Sequence, residues 1–263
     1  MTAAMENVAP YRRAAKRART LLVACALFAV SAVPALAAGV CPATPAVPIV
    51  LPHLRSALLH GEQAVIVALG SSSTLGVMAS DLAHSYPAVL QQALSLELAD
   101  AHIAVINRGI GGQDAREELA RMAADVLAIR PQVVIWQVGA NGALRNSDPE
   151  LFRERVTTGV RMLKAAGVDV VLMDNQQSPQ LLARPEEPVM DAELARVADN
   201  TGAALFSRRA LMQAWDQEGA APAKFIATDG LHHNDRGYHC VATALARSII
   251  AGLAADHPLT ASR

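Results

Sequence analysis

Five short apolar runs punctuate the chain: AVIVAL (64–69), IAVIN (103–107), VVIWQV (133–138), VVLM (170–173) and the weaker AALF (203–206). They are rich in β-branched residues and nearly free of polar alternation. That pattern predicts strands buried on both faces, as in a parallel sheet. The segments between them carry apolar residues three and four apart with charges opposite: AVLQQALSLELA (88–99), AREELARMAADVLA (115–128), LFRERVTTGVRMLKAAG (151–167) and AELARVADNTG (192–202). This spacing predicts helices, and the last two close on Gly, a helix stop. NDRGYHCVATALARSIIAGLA (234–254) reads as a final helix. Strand and helix alternate, so the expected fold is α/β: a three-layer α/β/α doubly wound sandwich around a mostly parallel, five-stranded sheet. CPATPAVPIVLP (41–52) is Pro-rich and reads as an extended arm on the domain surface.

The first 37 residues follow a different pattern. Arg12, Arg13, Lys16, Arg17 and Arg19 precede LLVACALFAVSAV, and Ala35 and Ala37 supply an A-x-A step. These are the parts of a secretory signal peptide cut after Ala37. The alternative is an uncleaved anchor, but a span needs about 20 apolar residues and Pro34 ends this run early. The remaining chain has 18 basic and 23 acidic side chains, a net charge of −5. That excludes a basic surface for nucleic acid or anionic lipid. The expectation is an exported protein, periplasmic or extracellular, with no stable membrane anchor after cleavage. Two cysteines remain, Cys41 and Cys240. In an oxidising compartment they are a candidate disulfide; the alternative is two separate thiols.

Ligands of doubly wound sheets bind beyond the carboxyl ends of the strands, so the residues that follow each strand carry the functional information. After the first strand comes Gly70-Ser71-Ser72-Ser73-Thr74, and after the second NRGIGGQ (107–113). After the third comes GANG (139–142), and before the last helix DGLHHND (229–235). A hydroxyl at a strand-to-helix turn, a glycine-rich backbone, an amide side chain, and an Asp and His three apart are the parts of acyl transfer. Each also has a plainer reading. The serines can be helix caps, Ser71 or Ser73 among them. The glycines can be a tight turn, and Asn141 a turn residue. A Ser/Thr-rich loop after a first strand can also cradle a flavin phosphate, as in flavodoxin-like proteins. Aromatics make up only 3% of the chain, which leaves little to stack on a flavin. DNQQSP (174–179) faces the same edge without a definite role, RPEEP (184–188) reads as a solvated loop, and Trp136 as core.

Taken together, GSS (70–72), NRGIGG (107–112), GAN (139–141) and DGLH (229–232) resemble, in order, the four blocks of the SGNH (GDSL-type) hydrolases. The resemblance implies a serine esterase with Ser72 as nucleophile, His232 as general base and Asp229 as its partner. It implies an oxyanion hole from the N–H groups of Ser72 and Gly112 and the amide of Asn141, with no metal or cofactor. The expected substrate is a small-molecule or glycan ester, with short acyl or O-acetyl groups favoured because no long lid insertion separates the blocks. An acyltransferase and a non-catalytic glycan-binding protein are the alternatives. One position departs from the pattern: Ser71 stands where these enzymes usually carry Asp. The expected organisation is the signal peptide (1–37), arm and first helix (38–62), catalytic domain (63–255) and tail (256–263).

Overall fold

Every apolar run becomes a strand: β1 (Ala64–Gly70), β2 (Ile103–Gly109), β3 (Val133–Gln137), β4 (Asp169–Met173) and β5 (Ala204–Phe206). The computed structural model describes residues 41–255; the expected signal peptide and C-terminal tail lie outside the described residues. The strands pair in the order β2-β1-β3-β4-β5, and all four pairings are parallel. The sheet is therefore wholly parallel. Helices fill the crossovers: α1 (Pro52–Leu59), α2 (Ser72–Leu75), α3 (Tyr86–Glu97), α4 (Ala115–Asp125), α5 (Ala140–Leu144), α6 (Pro149–Ala165), α7 (Pro179–Leu182), α8 (Glu187–Thr201), α9 (Arg208–Gln217) and α10 (Asp235–Ala255).

Strand side chains divide between the two faces with a period of two. Ile66, Ala68, Val133, Ile135, Val171 and Met173 enter a core shared with α1, α3 and α10. Val67, Leu69, Val134, Trp136, Val170 and Leu172 enter a second core shared with α4, α6 and α8. The three central strands are buried on both sides, which is why their sequences read as continuous apolar runs. β2 is an edge strand and only half-buried. Trp136 is fully buried, and its Nε1–H donates to Glu118 Oε2 at 2.8 Å. Burial outweighs the hydrogen bond and pushes the Glu118 carboxyl well above the usual carboxylate range.

Two expectations need correction. The Pro-rich arm does not merely lie on the surface. Ile49 and Leu51 are buried in the first core, and Ile49 N–H donates to Ser248 O of α10 at 2.9 Å. Gly252 permits this approach, since a Cβ there would stand 1.8 Å from Ile49 O. Cys41 and Cys240 are joined as a disulfide, with Cα atoms 5.4 Å apart. The RPEEP stretch is not simply a solvated loop either. Glu187 opens α8 in a buried position and pairs with Arg209, because α9 brings a guanidinium to it.

Candidate active site

The β2-β1-β3 order makes the chain leave β1 and β3 in opposite directions, which opens a crevice at their carboxyl ends. Ser72 stands at one lip of it, in the first turn of α2. Asn141 stands at the other, in the first turn of α5. Of the three consecutive serines, Ser71 and Ser73 are buried and only Ser72 is accessible. Ser71 occupies the N-cap position of α2 but makes no side-chain cap. Instead its N–H and Oγ–H both turn to Gln137 Oε1, at 3.2 and 3.3 Å, and Thr74 Oγ1 donates to the same oxygen at 3.1 Å. The end of β3 thus anchors the turn from below, at the place where an Asp would stand in the related pattern.

The Asp229-x-x-His232 turn packs against this serine. Ser72 Oγ lies 2.7 Å from His232 Nε2, and His232 Nδ1 lies 2.6 Å from Asp229 Oδ2. A carboxylate can only accept, so the ring carries its proton on Nδ1 and leaves Nε2 to accept from Ser72. Asp229 Oδ1 also accepts the N–H groups of Leu231 and His232, both at 3.0 Å. Burial works to raise the Asp229 carboxyl, but the His232 ring and these two N–H groups outweigh it and hold its pKa below the ordinary value. The adjacent His233 points away: it is fully buried, with Nδ1–H donating to Phe225 O at 3.1 Å.

The glycine turn after β2 lies beside Ser72. Gly109 sits where a Cβ would be 2.1 Å from Leu75 N, so only glycine lets β2 end this close to α2. Gly111 is against Ser72: a Cβ there would be 4.0 Å from Ser72 Cβ. Gly112 is left-handed, φ +80°, and exposed. Its carbonyl accepts from Arg145 Nη2 at 2.6 Å, while the next carbonyl, Gln113 O, accepts from Asn141 Nδ2 at 2.8 Å. Asn141, in the first turn of α5, and Arg145, its C-cap residue four positions on, share one face, and together they hold consecutive peptides of the turn. Arg121 ties the other end, donating to Gly70 O at 3.1 Å and Arg108 O at 2.8 Å. Ser72, Gly112, Asn141, Asp229 and His232 therefore lie at one sheet edge. Gln137, Arg145 and Arg121 were not anticipated; the i, i+4 spacing of Asn141 and Arg145 was the one local clue. Among the described residues no group of three or more His, Cys, Asp or Glu is placed to hold a metal ion.

A family model described as the non-GDSL lipase-like family matches residues 37–255. The chain is similar to an arylesterase of Vibrio mimicus, 24% identical over 185 residues that make up 70% of this chain and 88% of the relative. Among solved structures it is similar to a two-domain esterase active on acetylated mannans, with a TM-score of 0.65 and 24% identity. That match covers 81% of this chain and 58% of the two-domain protein, so the chain spans less than two thirds of that relative. It is also similar to an acetylxylan esterase from Geobacillus stearothermophilus, with a TM-score of 0.61 and 22% identity over 70% of this chain and 93% of the other.

Proposed function

Because this chain belongs to the non-GDSL lipase-like family, we propose that it is a serine ester hydrolase that works through an acyl-enzyme on short acyl or O-acetyl esters. The observation that carries the reading is the His232 ring bridging Ser72 Oγ and Asp229 Oδ2. Ser72 Oγ attacks the ester carbonyl carbon while its proton passes to His232 Nε2. Asp229 keeps the ring in the required tautomer and stabilises the imidazolium. The C–O bond to the alcohol then breaks, and His232 returns the proton to the leaving oxygen. Water, deprotonated by the same nitrogen, attacks the acyl-serine, and the acid leaves as Ser72 recovers its proton.

The negative oxygen of each tetrahedral intermediate needs donors. Ser72 N–H, in the first turn of α2, has no intrahelical partner. Gly112 N–H and the second N–H of the Asn141 amide complete the hole, since an amide nitrogen carries two donors and Gln113 O uses one. Each such donor contributes about 3–4 kcal/mol to the transition state. Acetyl esters of glycans are the favoured substrates: two of the relatives are described as esterases active on acetylated mannans or acetylxylan. The chain is read as exported, which the signal-type segment and the Cys41–Cys240 disulfide support.

The test is a series of p-nitrophenyl esters from acetate to palmitate, together with acetylated xylan and mannan. Turnover that falls with chain length and acetate release from the polymers support the reading. Binding of the glycans without release of acid, or transfer of acetyl to an added sugar in place of hydrolysis, replaces it with the alternatives.

A further inference from the structure

The turn that carries Asp229 and His232 directs three successive carbonyls at the segment leaving β4, and that segment binds all three. Gln180 Nε2 donates to Asp229 O at 2.7 Å. Gln180 N–H donates to Gly230 O at 3.0 Å. Gln176 Nε2 donates to Leu231 O at 2.8 Å. The fourth carbonyl, His232 O, is taken by Ala227 N–H at 2.8 Å. Inside the turn, the Asp229 carboxylate holds the N–H groups of Leu231 and His232. The backbone between the acid and the base is thus gripped from both sides, and the outer grip comes from two glutamine side chains and the Gln180 main-chain N–H.

The chemistry of the amide decides its orientation. A backbone carbonyl only accepts, so each glutamine must turn its NH₂ toward the turn. For Gln176 this leaves Oε1 buried without a hydrogen-bond partner among the described residues. Gln176 itself is 1% exposed. An apolar side chain of the same size would fill that space without stranding an oxygen. The donor is therefore kept at a cost to folding, at the one carbonyl next to His232.

We infer that Gln176 and Gln180 are positioning residues for the acid–base pair, acting through the turn without touching substrate. The inference rests on the proposed Ser72–His232–Asp229 reading. Loss of either grip lets the turn relax and moves His232 Nε2 off the 2.7 Å line to Ser72. Small displacements of a reacting group cost roughly 10–100-fold in rate.

The experiment compares wild type with Gln176→Met, Gln180→Met and the double variant. Met keeps the volume and removes the donor. Two rates are read: kcat and KM on p-nitrophenyl acetate, and the second-order labelling of Ser72 by a fluorophosphonate, located by peptide mass. We expect each single variant to lose about tenfold in both kcat and labelling rate with KM within about twofold, and the double variant to lose more. Gln176→Glu keeps the shape but presents only acceptors when ionised, and should be no better than Gln176→Met. Gln180 is exposed, so Gln180→Met folds even if Gln176→Met does not, and it decides alone in that case. Folded variants that label at the wild-type rate, while wild type labels at Ser72, overturn the positioning role only. A wild-type enzyme that is not labelled at Ser72 overturns the triad reading and this inference with it.

Discussion

His232 Nε2 stands 2.7 Å from Ser72 Oγ although 160 positions of chain separate them. The contact singles out one serine of three, because Ser71 and Ser73 are buried and the Ser71 hydroxyl is turned to Gln137. Ser72→Ala should therefore abolish ester hydrolysis. Ser71→Ala and Ser73→Ala should keep it within roughly tenfold, their cost coming from packing and from the bonds to Gln137. Asp229→Asn should lower kcat by up to about 10⁴-fold, because an amide facing Nδ1 stabilises the wrong tautomer. Steady-state assays on p-nitrophenyl acetate check all four variants. Full activity in Ser72→Ala would sink the assignment.

Asn141 donates one amide N–H to Gln113 O at 2.8 Å, and in the proposed mechanism its second N–H serves the oxyanion. Asn141→Ala should lower kcat by about 10²–10³-fold with KM little changed, as for loss of an oxyanion donor. Arg145 holds the Gly112 carbonyl, pairs with Asp114 and Glu117 at 3.6 Å each, and is half-exposed at its side chain. Arg145→Met should cost less, roughly threefold to tenfold in kcat, by loosening the peptide that follows the Gly112 donor. Equal losses in the two variants would mean that Asn141 acts only by bracing the turn.

The elements that a linear reading recovers are those whose burial is symmetric or periodic. β1, β3 and β4 are covered on both faces, so their sequences are continuous and apolar. α4 and α6 bury one stripe each. The four blocks sit at strand ends, where topology brings them together. α9 escaped that reading for a physical reason. It begins with Arg208, which is fully buried and bonds Asp174 O at 2.7 Å, a partner 34 residues earlier in sequence. A buried arginine at a helix start has no signature in the hydrophobic pattern. The same holds for Gln137, Gln176 and Gln180. An amide side chain that completes a distant backbone turn looks like any surface glutamine until the turn is in place.

The Cys41–Cys240 disulfide closes a segment with a sequence separation of 199. Cross-links over long loops restrict the unfolded chain most, and removing a native one costs typically about 2–4 kcal/mol. For a domain of this size that corresponds to a fall in Tm of roughly 5–15 °C. Cys41→Ala/Cys240→Ala should show this shift by thermal unfolding while kcat stays within about twofold, because the bridge lies on the arm and α10, not at the crevice. An unchanged Tm would mean that the Ile49–Gly252 contact already pins the arm.

His233, next to the proposed base, should make stability depend on pH. Burial in the first place, and the nearby Arg208 and His232, push its pKa down from the ordinary 6.5 to about 3. The folded protein therefore keeps this ring neutral across that interval, whereas the unfolded chain takes up a proton as the pH falls below 6.5. Protons bind the unfolded state more, so stability is full above 6.5 and declines toward acid by about 1.4 kcal/mol per pH unit until the folded ring itself titrates. His233→Gln can still donate to Phe225 O but cannot be protonated. Between pH 6.5 and 5 the wild type should lose about 2 kcal/mol more than this variant, a difference of roughly 4–8 °C in Tm. Thermal unfolding of both proteins over this range reads the difference directly. Parallel curves would mean that the ring is charged inside the folded protein, with a counter-charge close enough to hold it there.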